Sequence, residues 1–199
     1  MADERAAADA AYLVGETKDN AWSVFAEGVE LLRKCFVPKI ALQKGGNGFG
    51  YCGYNYSVEC LKSHGVLERE MEDIEYRFVF GDRIINTLTE LITVVRFAKV
   101  KGWRRIYLVA PPFHQLRSFI TAVTAVDHEY PRLKIYNRVG GPLPWNQKVV
   151  HSQGVLTGTR LEILAIEIAN IQKYQKDGKP YPLVSVERTL EYLEERDRN

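Results

Sequence analysis

His114 and Arg117 stand three residues apart, behind the apolar run 106–110 and the pair Pro111-Pro112, where a helix is expected to begin. That spacing puts both on one helical face. An imidazole near a helix N-terminus is biased toward its neutral form, suited to accept or relay a proton or to hydrogen-bond a ligand. The guanidinium is a fixed cationic fork for phosphate or carboxylate. A surface histidine beside an arginine that pairs with a nearby acid is the plainer alternative. One unit earlier, Asn86-Thr87-Leu88-Thr89-Glu90 places polar groups at another helix entrance. Thr87 and Glu90 have capping-box spacing, whereas Asn86 can both cap and offer a carboxamide to a ligand.

Two further segments belong with these. Gly15-Glu16-Thr17 closes the first apolar run, so Glu16 is placed to hydrogen-bond a ribose or to orient His114, or simply to be solvated. The loop from Lys44 to Gly53 has five glycines, Gly45, Gly46 and Gly48 among them, that let backbone N–H groups approach an anion. Gly48 to Gly53 matches G-x-G-x-x-G, although the dinucleotide fingerprint belongs to a first strand-to-helix turn and this loop follows the second strand. Phe49, Tyr51, Tyr54 and Tyr56 can stack on a planar ring or fold back onto the core. Asp82 is a candidate base or metal ligand. No spacing among His64, His114, His128 and His151 resembles a metal site, so no tightly bound metal is expected. There is no G-x-S-x-G elbow, and Cys52 lacks the local signature of a catalytic thiol.

The elements that must position these residues are short apolar runs alternating with stretches of helical period, the pattern of repeated strand–helix units in a mainly parallel sheet. Strands are expected near 11–14, 39–43, 76–80, 106–110 and 133–136. The first helix would bury Trp22, Phe25, Val29 and Leu32. The second would end at Gly65. The third, carrying Leu88, Leu91, Ile92, Val95 and Ala98, stops at Gly102. Leu116, Phe119, Ile120 and Val123 mark a fourth helix. Gly140, Gly141, Pro142 and Pro144 break regular structure around Trp145, a candidate lid, and a last helix from about 159 to 175, opened by the capping box of Thr159 and Glu162, closes a single α/β domain spanning 1–199. Helices on both faces of such a sheet leave the C-terminal strand ends as the ligand-binding edge.

Composition narrows the class. With 46% hydrophobic and 26% charged residues the chain is globular, and its net charge of +2, from 27 basic and 25 acidic residues spread along it, points to neither nucleic acid nor membrane. No apolar run is long enough to span a bilayer, and the charged start does not read as a signal peptide. Three cysteines without a CxxC pair fit a reducing cytoplasm.

Taken in order, Gly15, Gly45-Gly46, Asn86-Thr87 and His114/Arg117 resemble the family of unknown-function domains typified by the bacterial YdcF, SanA and ElyC proteins. The likeness spans about residues 11 to 125, with a looser echo around Glu167 and Tyr174. The family's Asn-Thr is usually followed by a Glu two residues on and then Asn, where this chain has Thr89 and Glu90. Lys44 replaces its usual serine. The resemblance implies a Rossmann-like fold of about five strands and an association with S-adenosylmethionine binding. The expected function is binding of a small anionic, nucleotide-like ligand. Gly15, Glu16, Lys44, Gly45, Gly46, Gly48, Asn86, Thr87 and Glu90 would hold it, with His114 and Arg117 at the reacting group. The alternative is a phosphoryl- or pyrophosphoryl-transferring hydrolase with His114 as general acid/base.

Overall fold

The computed structural model describes residues 7–45, 50–75, 86–151 and 156–198. Gly46, Gly48, Phe49, Asp82 and the strand expected at 76–80 lie outside them.

β1 (Ala10–Leu13), β2 (Ile40–Lys44), β3 (Met71–Glu75), β4 (Arg105–Ala110) and β5 (Lys134–Val139) form one sheet in the order β3-β2-β1-β4-β5, with every pairing parallel. The chain thus moves outward from β1 to β3 and then crosses back to the other side of β1. That reversal leaves a crevice above the β1 and β4 ends, the place where sheets of this class bind ligands. The third strand precedes the position expected of it. Its apolar residues are Met71 and Ile74, a weaker signal than the aromatic run that follows.

Helices cover both faces. α1 (Lys18–Arg33) and α2 (Tyr54–Ser63) pack on Ala11, Leu13, Ile40, Leu42, Tyr107 and Val109. α3 (Thr87–Lys101) and α4 (Gln115–Glu129) pack on Ala10, Tyr12, Ala41, Ile106, Leu108 and Ala110, the alternate set of the same strands. Both faces being buried explains why β1 and β4 are almost wholly apolar. α3 ends at Gly102 with φ 71°, and Gly65 beyond α2 has φ 80°, left-handed positions that favour glycine.

Two expected core residues are exposed: Trp22 is 53% accessible and Leu116 also 53%, because α1 turns Ala21, Val24, Phe25 and Val29 inward and α4 turns in Phe119, Ile120 and Val123. Three elements were not foreseen. β6 (Lys148–His151) and β7 (Leu156–Thr159) pair antiparallel beside the α1 N-terminus. They lead into α5 (Arg160–Asp177), whose Thr159–Glu162 capping box forms as expected. α6 (Val186–Arg198) then covers the β5 edge. Tyr192 Oη accepts from the Ile135 N–H at 2.7 Å and Arg196 donates to the Ile135 carbonyl at 2.9 Å, satisfying strand groups that have no neighbouring strand.

The Trp145 segment is fastened rather than poised as a lid. Arg160, buried, donates to Asn20 Oδ1 at 3.0 Å, to the Asp19 carbonyl at 2.8 Å, to the Pro144 carbonyl at 2.9 Å and to Gln147 Oε1 at 2.8 Å. Among the described residues, no helix is long and apolar enough to cross a membrane.

Candidate functional site

At the crevice, Glu16 from the β1–α1 turn meets His114 from the β4–α4 turn: His114 Nδ1 lies 2.7 Å from Glu16 Oε1. The other ring nitrogen, Nε2, is 2.9 Å from Arg117 Nη2. Arginine can only donate, so Nε2 is the acceptor, Nδ1–H donates to Glu16, and the ring is neutral. Burial and the Arg117 charge both lower its pKa, in agreement. Expectation and geometry concur that His114 is neutral and that Glu16 orients it.

Arg117 is not a free fork. Its Nε and Nη2 both donate to the Glu167 carboxylate, the second at 3.2 Å, and Nη1 donates to Thr87 Oγ1 at 2.9 Å. Four of its five hydrogens are therefore used inside the protein, leaving one on Nη1. The pairing acid is the plainer alternative for arginine, but buried, with Arg117 7% and Glu167 2% accessible.

His151 of the hairpin completes the group. Its Nδ1 is 3.6 Å from Glu16 Oε2 and its Nε2 is 3.4 Å from Glu167 Oε1. Burial opposes its charge, but the two carboxylates outweigh burial and raise its pKa to about 9. Burial likewise opposes the charge on Glu16 and Glu167. The hydrogen bond from His114 and the nearby charge of His151 hold Glu16 below the ordinary carboxylate range, and His151 and Arg117 together hold Glu167 well below it. Two carboxylates thus face Arg117 and a protonated His151, a charge-balanced buried group. The guanidinium occupies the cationic place among these acids and imidazoles. Among the described residues, no group of three or more His, Cys, Asp or Glu side chains is arranged to hold a metal ion.

Glu90 behaves differently from the capping role its spacing predicts. Asn86, extended at φ −134° and ψ 167°, is the N-cap: its Oδ1 accepts from Thr89 N–H at 2.9 Å, and Thr89 Oγ1 accepts from Asn86 N–H at 3.1 Å. The cap therefore sits one residue earlier, which frees Thr87 for Arg117 and turns Glu90 inward. Glu90 Oε1 accepts from Tyr12 Oη at 2.5 Å and from the Gly15 N–H at 3.0 Å. Burial raises its pKa to about 7.

Two cavities flank these residues. One, about 80 Å³, lies over the β1 and β2 ends, with apolar walls including Leu13, Val24, Phe25, Leu42 and Tyr51 and with Glu16, Gln43 and Glu90 as polar groups. The other, about 240 Å³ and polar, runs from the α3 N-terminus to the end of α5, lined by Asn86, Thr87, Arg117, Asn170, Asp177 and Lys179. Tyr51 is a wall of both. Its segment folds back over the β1–α1 turn, where Cys52 N–H donates to the Glu16 carbonyl at 3.2 Å, and Gly50 and Gly53 at φ 85° and 82° make that return possible.

Gly15, Glu16, Asn86, Thr87, Glu90, His114 and Arg117 are brought together, and Gly45 lines the apolar cavity. Lys44 is not: its ammonium lies 3.2 Å from Asp73 and 3.1 Å from Glu75 on β3, drawn to the acids of the neighbouring strand. The loop amides of Cys52 and Tyr54 donate to Glu16 and Gly45 carbonyls rather than standing free for an anion. His151 and Tyr12 were missed as site residues. The signal for Tyr12 is a lone phenol in the run Ala-Ala-Tyr-Leu, which must find a partner when buried.

No protein-family model matches this chain, and no curated protein matches it either.

Proposed function

We propose that the chain is a Rossmann-like domain that binds a small nucleotide-like ligand across the two cavities, with S-adenosylmethionine as the first candidate. The observation that carries this reading is that an apolar and a polar cavity lie at the C-terminal sheet edge with Tyr51 as their common wall. Small-molecule sites begin near roughly 300 Å³. Neither cavity reaches that alone, and they share Tyr51, so a ligand of nucleotide size uses both. Its planar ring fits between Phe25, Leu42 and Tyr51. Its anionic end faces the remaining Arg117 hydrogen, Lys179 and the two first amides of α3, which no protein group caps among the described residues.

Binding is favoured over hydrolysis with His114 as general acid/base because both imidazole nitrogens are engaged by Glu16 and Arg117. Calorimetric titration with S-adenosylmethionine, S-adenosylhomocysteine, ATP and a sugar phosphate tests the proposal. Micromolar binding of a nucleotide-like ligand, weakened at least tenfold both by Ala21→Phe, which fills the apolar cavity, and by Asn170→Leu in the polar one, is expected. No binding by any of the four would overturn it.

A further inference from the structure

The floor of the apolar cavity is incompletely satisfied in a directional way. Glu90 Oε1 takes two donors, Tyr12 Oη at 2.5 Å and Gly15 N–H at 3.0 Å, whereas Oε2 has no hydrogen-bond partner among the described residues. Among the described residues, no lysine or arginine lines this cavity, so no cation of its lining pairs with Glu90. Beside it, Gln43 Nε2 is buried without a partner. The Tyr12 hydroxyl lies between the two side chains and has a single hydrogen. Its short contact to Glu90 claims that hydrogen, so the 3.4 Å contact to Gln43 Oε1 is left without one, and Gln43 Nε2 keeps its hydrogens for whatever enters. An anionic group would meet Glu90 and Glu16. A hydrogen-bond donor on a flat apolar body meets Glu90 Oε2 and the aromatic walls together.

We propose that this cavity recognises an amino-substituted nucleobase of the adenine type, its exocyclic amine donating to Glu90 Oε2 and its adjacent ring nitrogen meeting the Gln43 amide. The inference rests on the nucleotide-like reading and specifies its ring. It also sets the ligand's direction, with the base toward β2 and the charged end toward Arg117 and Lys179.

Adenosine and purine riboside, which differ only in the 6-amino group, separate the possibilities when titrated calorimetrically at pH 8. Adenosine is expected to bind about tenfold tighter or better, the scale of a hydrogen bond to a charged acceptor. In Glu90→Gln, Tyr12 and Gly15 retain the amide oxygen and turn the amide NH2 toward the ligand, so the preference should vanish or invert. Thermal melting followed by circular dichroism establishes that the variant is folded, and the wild-type comparison decides without it. Equal affinity for the two nucleosides, or a preference that survives Glu90→Gln, overturns the amine contact alone. Failure of both nucleosides and of S-adenosylmethionine and ATP overturns it together with the nucleotide-like reading.

Discussion

At the scale of single residues, the buried group of Glu16, His114, Arg117, His151 and Glu167 is held by partners rather than by solvent, so removing one member strands another. Arg117→Ala leaves Glu167 buried without its cation, and a loss of about 3–5 kcal/mol in urea unfolding is expected. The same group sets a pH dependence. His151 has a folded pKa raised to about 9 from 6.5, so its contribution is full below 6.5 and is lost as pH rises through 9. Glu90, raised to about 7 from 4.5, keeps its proton more readily when folded, so folding loses stability as pH rises from 4.5 to 7. Both act in the same direction above pH 6.5. Unfolding free energy is expected to fall between pH 6.5 and 9 by up to about 3 kcal/mol, and urea titrations across that range check it. His151→Gln should flatten most of the slope, and Glu90→Gln should raise the melting temperature at pH 8.

At the scale of elements, the start of α3 decides which side chains reach the site. Asn86→Ala removes its cap and should cost about 1 kcal/mol, read as a lower melting temperature. The β5–β6 connection is equally constrained, because a Cβ on Gly140 would lie 2.5 Å from Ser23 Oγ and 2.9 Å from the Ser23 carbonyl. Gly140→Ala is expected to cost about 1–3 kcal/mol, measurable in the same melt. β1 and β4 were legible in the sequence because double-sided burial writes a nearly continuous apolar run, and β2 and β5 through the shorter apolar stretches 40–42 and 135–136. α6 was not, since it buries mainly Thr189, Tyr192 and Arg196, a face of polar and amphipathic residues. Nor was the β6–β7 hairpin, which follows a stretch of Gly and Pro. Of the site, Glu16, His114 and Arg117 were legible because each follows a strand. His151 and Glu167 join them only through contacts across 135 and 50 residues, which no local pattern encodes.

At the scale of the whole molecule, the reversal of strand order puts the β1 and β4 turns side by side, and α3 and α5 add the polar wall that a lone sheet edge lacks. Charge is divided accordingly: the acids Glu16 and Glu90 reach the apolar cavity, and Arg117 and Lys179 reach the polar one, where Asp177 is the acid beside them. A zwitterionic or bipartite ligand suits this division better than a uniformly anionic one, so S-adenosylmethionine should bind more tightly than a sugar phosphate in competition calorimetry. The central claim is that one ligand occupies both cavities, and amide chemical-shift mapping with S-adenosylhomocysteine tests it most directly. Shifts at Gly15 and Tyr51 together with Thr87 and Leu88, saturating with one dissociation constant, are predicted. Shifts confined to one cavity, or none at saturating ligand, would contradict it.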